Sequence, residues 1–471
     1  MNPASTPMLE AALAAHRFGL GEPVIAPIAR DPRGWLLGQI GPLDPARGDA
    51  LLDTRGGLEL VAAEREKRQR ARNPPPGMTA EQLLAGHYRD AIVADVRSHL
   101  LTPALSARPF MERLQLFWVN HFTVSLLKGA TRGLVGPFER DAIRAHAAGS
   151  FEQLLFASTT HPAMLRYLDN VQSAGPDSRA VAFEARRAAR VGEPRRVTGI
   201  NENLAREVLE LHTLGAASSR PGADGRAVYT QADVTAFAAV LTGWRVGVDG
   251  AQPEVPFDPN WHQPGAKTVL GKRYPDGPGA LREVLHDLAL HPATAQFVCT
   301  KLARHVVADD PPPALVDRLA ATWLKTGGDL PSVYRALVES PESWQPEQRK
   351  LKTPEEFVIS SVRVLGGAER VFERGDGAGI GALGQRVLAP PSPAGWSDRA
   401  DDWLGPDAVW KRVEWSTRVG ERTGRYVDAR RVAADSLGPL ASPATQTQIE
   451  RASDGAQAVA LLLMAPEFQR R

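Results

Sequence analysis

Cysteine is almost absent from this chain of 471 residues, which contains only Cys299. A single cysteine excludes an intrachain disulfide and any metal cluster built from several thiolates. Because Cys299 lies in an apolar stretch with helical periodicity, we expect a buried, unreactive thiol.

Lysine is also scarce, with 9 residues against 47 arginines, but the formal net charge is only +2. This balance argues against nucleic acid as the main partner, since phosphate binding needs a concentrated positive field.

Long apolar runs are missing as well. The apolar run near the C-terminus, residues 458–465, is too short to span a membrane. The first ten residues lack the basic segment and the long apolar segment of a secretory signal. We therefore expect no membrane span and a cytoplasmic location. Export in complex with a signal-bearing partner is left open by the sequence.

The hydrophobic pattern is helical through most of the chain. Apolar residues recur with a period of 3.6, and strands never alternate regularly with helices, which argues against a parallel sheet. One predicted helix begins after a Thr79 cap and runs to about Leu101, and another spans 201–214. Residues 246–279 contain six prolines and favour short strands and turns.

The sequence thus predicts a mainly α fold: one large multi-helical architecture with a small irregular or β insertion near 246–279. We divide the chain into four segments, which are an N-terminal helical segment (1–78), a central helical core (79–245), the insertion (246–279) and a C-terminal helical segment packed on the core (280–471).

His121 is the first residue that could carry chemistry. It shares a helical face with Leu114, Phe117 and Trp118. A histidine at the end of an apolar face is either a core residue with its hydrogen bonds satisfied or a side chain held rigidly for catalysis or ligation. The spacing does not choose between these interpretations.

A second candidate is the helix predicted over 201–214. Asn203, Glu207 and Glu210 share one arc of this helix, opposite an apolar arc. Either this arc is the wet face of an amphipathic helix, or its two carboxylates project into a cleft. Carboxylates three residues apart suit metal ligation or acid–base catalysis, so the second interpretation predicts a divalent metal without specifying which. Arg206 could then hold an anionic group through both guanidinium nitrogens.

The third candidate is the loop that contains His262 and Lys267, which bracket Pro264 and Gly265. Neither side chain has a role in helix packing there, and loops on a rigid scaffold often carry function. A site loop and a surface turn fit this pattern equally well.

Several short motifs occur in a fixed order along the chain. They are Ala14–Gly21, Phe117–Phe122, His161–Leu165, Tyr167–Asn170, Asn201–Gly215, Leu241–Trp244, His262–Lys267, Lys301–His305, Gly395–Trp396 and Ala465–Phe468. In this order they resemble a large bacterial family catalogued as domain of unknown function 1800. The resemblance runs nearly end to end, and 201–215 is its most specific part.

The resemblance implies a mainly helical protein without an established activity. Members of that family are often encoded beside a secreted, sulfatase-like protein, which implies a physical or functional partner. This chain departs from the pattern in the loop 175–199, which is rich in arginine where relatives often carry asparagine and glycine. Any ligand contact shared through that loop is therefore in doubt.

Two functions from different classes follow. The first is a hydrolase-like or metal-assisted enzyme that acts on a polar or anionic substrate. Its predicted catalytic residues are His121, Glu207, Glu210 and His262, and its predicted substrate-binding residues are Asn203, Arg206, Asp169 and Lys267. The second is a non-catalytic partner or escort of the sulfatase-like protein. An enzyme would require the catalytic residues to converge in space.

Overall fold

The fold is built mainly from short helices. The computed structural model describes residues 5–72, 78–192, 194, 199–222, 225–246 and 257–471. Up to Tyr167 its α-helices are α1 Ser5–Leu13, α2 Pro32–Leu37, α3 Thr54–Arg70, α4 Ala80–Leu84, α5 Arg89–Leu105, α6 Pro109–His121, α7 Val135–Pro137, α8 Phe151–Thr160 and α9 Pro162–Tyr167.

The remaining α-helices continue the same architecture. Up to Glu339 they are α10 Arg179–Val191, α11 Asn203–Glu207, α12 Gln231–Leu241, α13 Gly279–Ala289, α14 Pro292–Val306, α15 Pro313–Thr326 and α16 Leu330–Glu339. The last ones are α17 Pro354–Leu365, α18 Ala368–Phe372, α19 Pro406–Thr423, α20 Ala429–Val432, α21 Pro443–Glu450, α22 Gly455–Met464 and α23 Pro466–Gln469.

Tighter and wider helical turns connect or extend these elements. The 3₁₀ segments are Ile28–Arg30, Gly129–Thr131, Asn170–Gln172, Ala216–Ser219, Pro341–Trp344, Gly377–Leu383, Ala400–Trp403 and Gly438–Leu440. The π segments are Ala14–Phe18, Phe138–Arg144, Val208–His212 and Ala433–Leu437. The helix predicted over 201–214 is therefore α11 continued by a π segment.

The sheet in the described residues is small and consists of one antiparallel hairpin. Strand β1, Lys267–Val269, pairs with β2, Lys272–Tyr274, so that Lys267 faces Tyr274. Together with the helices, it confirms the predicted mainly α fold with a small β insertion. Residues 247–256 of the predicted insertion lie outside the described residues.

Local sequence explains where many helices begin. Proline occupies the first helical position of α6, α9, α14 and α17, where its missing N–H is not needed. His161 and His291 precede two of these prolines, and the Nδ1 atom of each accepts a hydrogen bond from the backbone N–H two residues on, at 3.1 Å. The two His-Pro-Ala sequences are thus helix starts.

The helix predicted from Thr79 to about Leu101 is wrong in its length. Thr79 forms a capping box with Gln82, but α4 ends at Leu84 and α5 begins at Arg89. The break brings His87 Nε2 to 2.8 Å from the Leu60 carbonyl and the Tyr88 hydroxyl to 3.0 Å from Glu64. These contacts with α3 are tertiary, so the local period could not reveal the break.

One continuous buried cluster runs from Ala11 to Phe468 and takes residues from all four predicted segments. Within it, the Trp118 indole donates to the Tyr334 hydroxyl at 2.6 Å, and that hydroxyl donates to the Ala147 carbonyl at 2.7 Å. These bonds fix α6 against α16. Within the described residues, no helix is both long and apolar enough to cross a membrane.

Helices α19 and α22 pack closely because glycines lie between them. A β-carbon at Gly420 would lie 2.2 Å from the Ala456 carbonyl oxygen. Such a contact is too short for any side chain, and backbone atoms on the partner helix have little freedom to move.

Gly420→Ala should therefore destabilise the protein, although alanine is the better helix former in isolation. We expect the free energy of unfolding to fall by about 1–3 kcal/mol, the usual cost of overpacking. Gly279→Ala is the matched control, because a β-carbon there has no neighbour within 4 Å. Urea unfolding of both variants measures the effect, and equal stability of the two would contradict the proposed close packing.

Candidate functional site

A cavity of about 220 Å³ lies between the end of α6, the helix α14 and the loop 384–399. We call it the cationic cavity because basic side chains dominate its charged lining. These side chains are His121, Lys301, Arg304, His305 and Arg399. Asp398 is the acidic residue of the lining. The cavity thus gathers residues from three parts of the chain that are far apart in sequence.

Lys301 is the basic side chain of this cavity with no polar contact to another described residue. Arg304 Nε donates to the Asp309 backbone carbonyl, and Arg399 pairs with the Asp310 carboxylate. Among the described residues, the Lys301 ammonium has neither a hydrogen-bond nor an ion-pair partner, and it lies 5.6 Å from the centre of the Phe297 ring. Burial lowers the pKa of Lys301 to about 8. The cavity therefore contains an ammonium that is charged at neutral pH and is open to an anionic ligand.

His305 and Asp398 form a buried pair at the same cavity. His305 Nδ1 lies 3.1 Å from Asp398 Oδ2, so the acidic neighbour favours the tautomer with its proton on Nδ1. Burial lowers the pKa of His305, which keeps the ring neutral at pH 7. His305 Nε2 is buried without a hydrogen-bond partner among the described residues, and it lies 3.8 Å from Glu356 Oε1. The arrangement leaves a neutral imidazole with an unprotonated Nε2 beside a carboxylate that would stabilise its protonated form.

The Asp398 carboxylate is held in its ionised form. Burial alone would favour the neutral acid, but His305 and Lys350 keep the pKa of Asp398 well below its usual range. The Lys350 ammonium lies 3.3 Å from Asp398 Oδ1 and 2.6 Å from Asp309 Oδ1. Asp398 can therefore orient the His305 ring and stabilise it when it becomes protonated.

The loop 384–399 is fixed to α6 through Asn120. The Asn120 amide donates to the Trp396 carbonyl at 2.9 Å and accepts from the Trp396 N–H at 2.7 Å. Gly395 permits this approach, because its φ is +81° and a β-carbon there would lie 2.5 Å from Asn120 oxygens. The Trp396 side chain lines the cavity, and its Nε1 is buried without a partner among the described residues.

Glu356 connects this site to the rest of the fold. Its carboxylate pairs with Arg113, and the Arg471 guanidinium donates to it at 2.7 Å. Arg113 also donates to the Gly19 carbonyl at 2.8 Å, and Arg471 donates to the His305 carbonyl. Although burial favours the neutral acid, the two arginines lower the pKa of Glu356 to about 2. One buried carboxylate thus joins the N-terminal region, α6, α14 and α17.

A second cavity of about 70 Å³ adjoins the first, and both are lined by Asn120, His305, Trp396, Ser397 and Asp398. His99, which lines the second cavity and not the first, lies 2.8 Å from Glu139 and 3.1 Å from Glu355. Burial alone would lower the pKa of His99, but these two carboxylates raise it well above its usual value. His99 is therefore a cation with its charge already balanced.

Eight site residues were predicted from the sequence, and of these His121 lines the cationic cavity. Its Nε2 lies 3.1 Å from the His212 carbonyl, and its Nδ1 has no partner among the described residues. Burial, Lys301 and His212 lower the pKa of His121 well below its usual value, so the ring is neutral. The contact with His212 also joins α6 to the helix that contains Glu207 and Glu210.

The acidic helix face lies outside the lining of both cavities. Burial and the nearby Glu210 raise the pKa of the half-buried Glu207. Arg206 lies between Glu210, at 3.5 Å, and Glu202, at 3.1 Å. The Asn203 backbone N–H donates to the Asn201 side chain at 2.9 Å.

The other predicted residues lie in two separate groups. The Asp169 carboxylate pairs with Lys128 at 2.7 Å. His262 Nε2 lies 2.7 Å from the Lys267 ammonium, and both contact Asp276. The loop singled out in the sequence thus contains two side chains that contact each other. Among the described residues, however, His121, the Glu207–Glu210 pair and His262 each have their own set of partners, and their predicted roles stay predictions.

Sequence reasoning missed Lys301, His305 and Asp398 as site residues. Lys301 and His305 are four residues apart on α14 and so share a helical face, a signal that could have been used in a chain with so few lysines. Cys299, on the same helix, is buried, and burial raises the pKa of its thiol. Within the described ranges, no three histidine, cysteine or carboxylate side chains are grouped as metal ligands.

Glu356→Gln should lower the free energy of unfolding by about 3–5 kcal/mol, because it leaves two buried arginines without their charged partner. The ionised carboxylate stabilises the fold above its unfolded pKa of 4.5, and this contribution is lost as the pH falls towards 2. The variant should therefore also lose that pH dependence.

Lys352→Met is the comparison for this experiment. The Lys352 ammonium is fully buried without a hydrogen-bond partner among the described residues, and it lies 4.3 Å from the centre of the Phe468 ring. Its replacement by methionine should leave stability unchanged or raise it. Urea unfolding at pH 7 and at pH 4 measures both variants. A Glu356→Gln protein as stable as the wild type would contradict the role given to Glu356.

A family model matches the same family that the order of the sequence motifs resembles. No curated protein and no solved structure matched the chain in the corresponding comparisons. The family model described as "Protein of unknown function (DUF1800)" matches residues 14–470, which is nearly the whole chain. The chain therefore belongs to the DUF1800 family.

Proposed function

We propose that the protein is a hydrolase that binds a small monoanionic group in the cationic cavity. The observation that carries this proposal is the Lys301 ammonium, which lines the cavity without a partner among the described residues. Arg399 pairs with the Asp310 carboxylate and Arg304 donates to a backbone carbonyl, so Lys301 is the cation of this lining without any acceptor among the described residues. A ligand with a single negative charge suffices to pair with the Lys301 ammonium.

The catalytic step that we propose uses His305 as a general base. His305 Nε2 accepts a proton from a water molecule while the water oxygen attacks the substrate, and His305 then gives that proton to the leaving group. Asp398 orients the ring through Nδ1 and stabilises the imidazolium that forms. Lys301 and the Trp396 indole N–H would stabilise negative charge that develops on the substrate.

Lys301→Met should weaken acetate binding at least tenfold, because a hydrogen bond to a charged group contributes about 1.5–3 kcal/mol. Isothermal titration with acetate measures the change. Lys325→Met is the matched control, since this lysine is exposed on α15 and does not line the cationic cavity. Equal acetate affinity in wild type and Lys301→Met, or no acetate binding by the wild type, would contradict the proposal.

Anion affinity should also depend on pH. The ammonium binds the anion only when it is protonated, so acetate affinity should fall as the pH rises through about 8. His121, His305 and Asp398 have lowered pKa values and do not change charge in this interval. Lys301→Arg keeps its charge and should bind acetate equally at pH 7 and pH 9. A wild-type affinity that is constant from pH 7 to pH 9 would rule out Lys301 as the anion-binding group.

The general-base role of His305 has a separate test. Hydrolysis of p-nitrophenyl acetate should fall at least a hundredfold in kcat for His305→Gln, while acetate binding is kept. Undiminished hydrolysis in this variant, or no hydrolysis by the wild type, would count against the catalytic step.

A second proposal is the escort role for a sulfatase-like protein. It is supported by exposed apolar side chains at the start of α19, where Leu404, Val409 and Trp410 lie close in sequence and Trp410 is 61% exposed. Co-expression with a sulfatase-like protein of the kind often encoded beside family members should yield a complex that Trp410→Ala weakens. Separate elution of the two wild-type proteins would exclude this role.

A further inference from the structure

The second cavity has five apolar residues in its lining. They are Leu116, Val119, Val124, Leu388 and Pro390. We call the second cavity the apolar slot. Because it shares Asn120, His305 and Trp396 with the cationic cavity, the two spaces meet beside His305.

The charged groups in the lining of the apolar slot already have partners. His99 contacts Glu139 and Glu355, and Glu356 pairs with Arg113 and Arg471. A ligand segment in the slot therefore meets apolar side chains and charges that are already balanced. An uncharged hydrocarbon segment suits this space better than a second charged group.

Two residues that line both cavities carry buried polar atoms without hydrogen bonds. His305 is 8% exposed, and its Nε2 has no hydrogen-bond partner among the described residues and lies 3.8 Å from Glu356 Oε1. The Trp396 indole N–H is likewise buried and unpartnered in the described ranges. The residues shared by the two cavities thus carry one acceptor and one donor for a ligand that spans both spaces.

Resting on the proposed function, we infer that the substrate is a short-chain acyl compound. Its carboxyl-derived group would lie between Lys301 and His305, with its aliphatic tail in the apolar slot. The slot's volume of about 70 Å³ is roughly half that of an engineered cavity which binds benzene, so it suits a tail of about two to four carbons.

The reaction balances without a further reactant. Water attacks the acyl carbon while His305 takes one of its protons, which forms the new C–O bond and a tetrahedral oxyanion near Lys301 and Trp396. The bond to the leaving group then breaks, and His305 returns the proton to that group. The product is a short-chain carboxylic acid, which releases its proton to solvent at neutral pH, and the resulting carboxylate can pair with the Lys301 ammonium.

The experiment is a tail-length series in isothermal titration with acetate, butyrate and octanoate. Two buried methylene groups should make butyrate bind about tenfold tighter than acetate. Octanoate should bind no tighter than butyrate, because its tail exceeds the slot. Equal affinity for acetate and butyrate in the wild type would overturn the inference, and this measurement needs no variant.

Two variants of one residue sharpen the test. Val119→Phe fills the slot and should abolish the preference for butyrate over acetate. Val119→Ala enlarges the slot and should move the preference towards longer tails. A butyrate preference that survives Val119→Phe would overturn the placement of the tail in the slot.

Failure of the inference is distinguishable from failure of the proposed function. Acetate binding that depends on Lys301 but shows no dependence on tail length would overturn the inference and leave the proposed function standing. A wild-type protein that binds none of the three carboxylates would overturn both the inference and the proposed function.

Discussion

The Glu356 carboxylate is enclosed by Arg113 and Arg471, and the geometry of the site follows from that arrangement. Arg113 also reaches the backbone of Gly19, while Arg471 reaches the backbone of His305. A buried charge is costly unless it is paired and hydrogen-bonded. The elements that supply these partners must therefore assemble together, which places α14 beside α6 and opens the cationic cavity between them.

The same constraint explains the division of roles among the charged groups. Glu356, Asp398 and His99 have their charges balanced by neighbours and hold the walls in place. Lys301, with no partner in the described part of the chain, can respond to a ligand. In a chain with only nine lysines, the unpaired Lys301 and the buried Lys350 and Lys352 all lie in or beside this network.

Local features of the fold could be predicted from the sequence. The helical architecture follows from a period of 3.6, and the starts of α9 and α14 follow from proline at the first position. The break between α4 and α5 could not be predicted, because His87 and Tyr88 leave the helix to contact α3. The need for glycine at position 395 could not be predicted either, because it arises from the close approach of Asn120 in the folded chain.

Only part of the site could be predicted from the sequence. His121 was a candidate because it shares a face with aromatic side chains, and that face does reach the cavity. Lys301 and Asp398 are almost 100 residues apart, and nothing local indicates that they meet. The Glu207–Glu210 pair illustrates the opposite problem, because a shared helical face does not say which space the face borders.

Diffraction from crystals soaked in 4-bromobutyrate, recorded at the bromine absorption edge, shows directly whether Lys301 holds the ligand's charge and the slot its tail. We expect a carboxylate within hydrogen-bond distance of Lys301 Nζ and an anomalous bromine peak between Val119 and Leu388. Empty density between Lys301 and His305, with the ligand bound elsewhere or absent, would contradict this expectation.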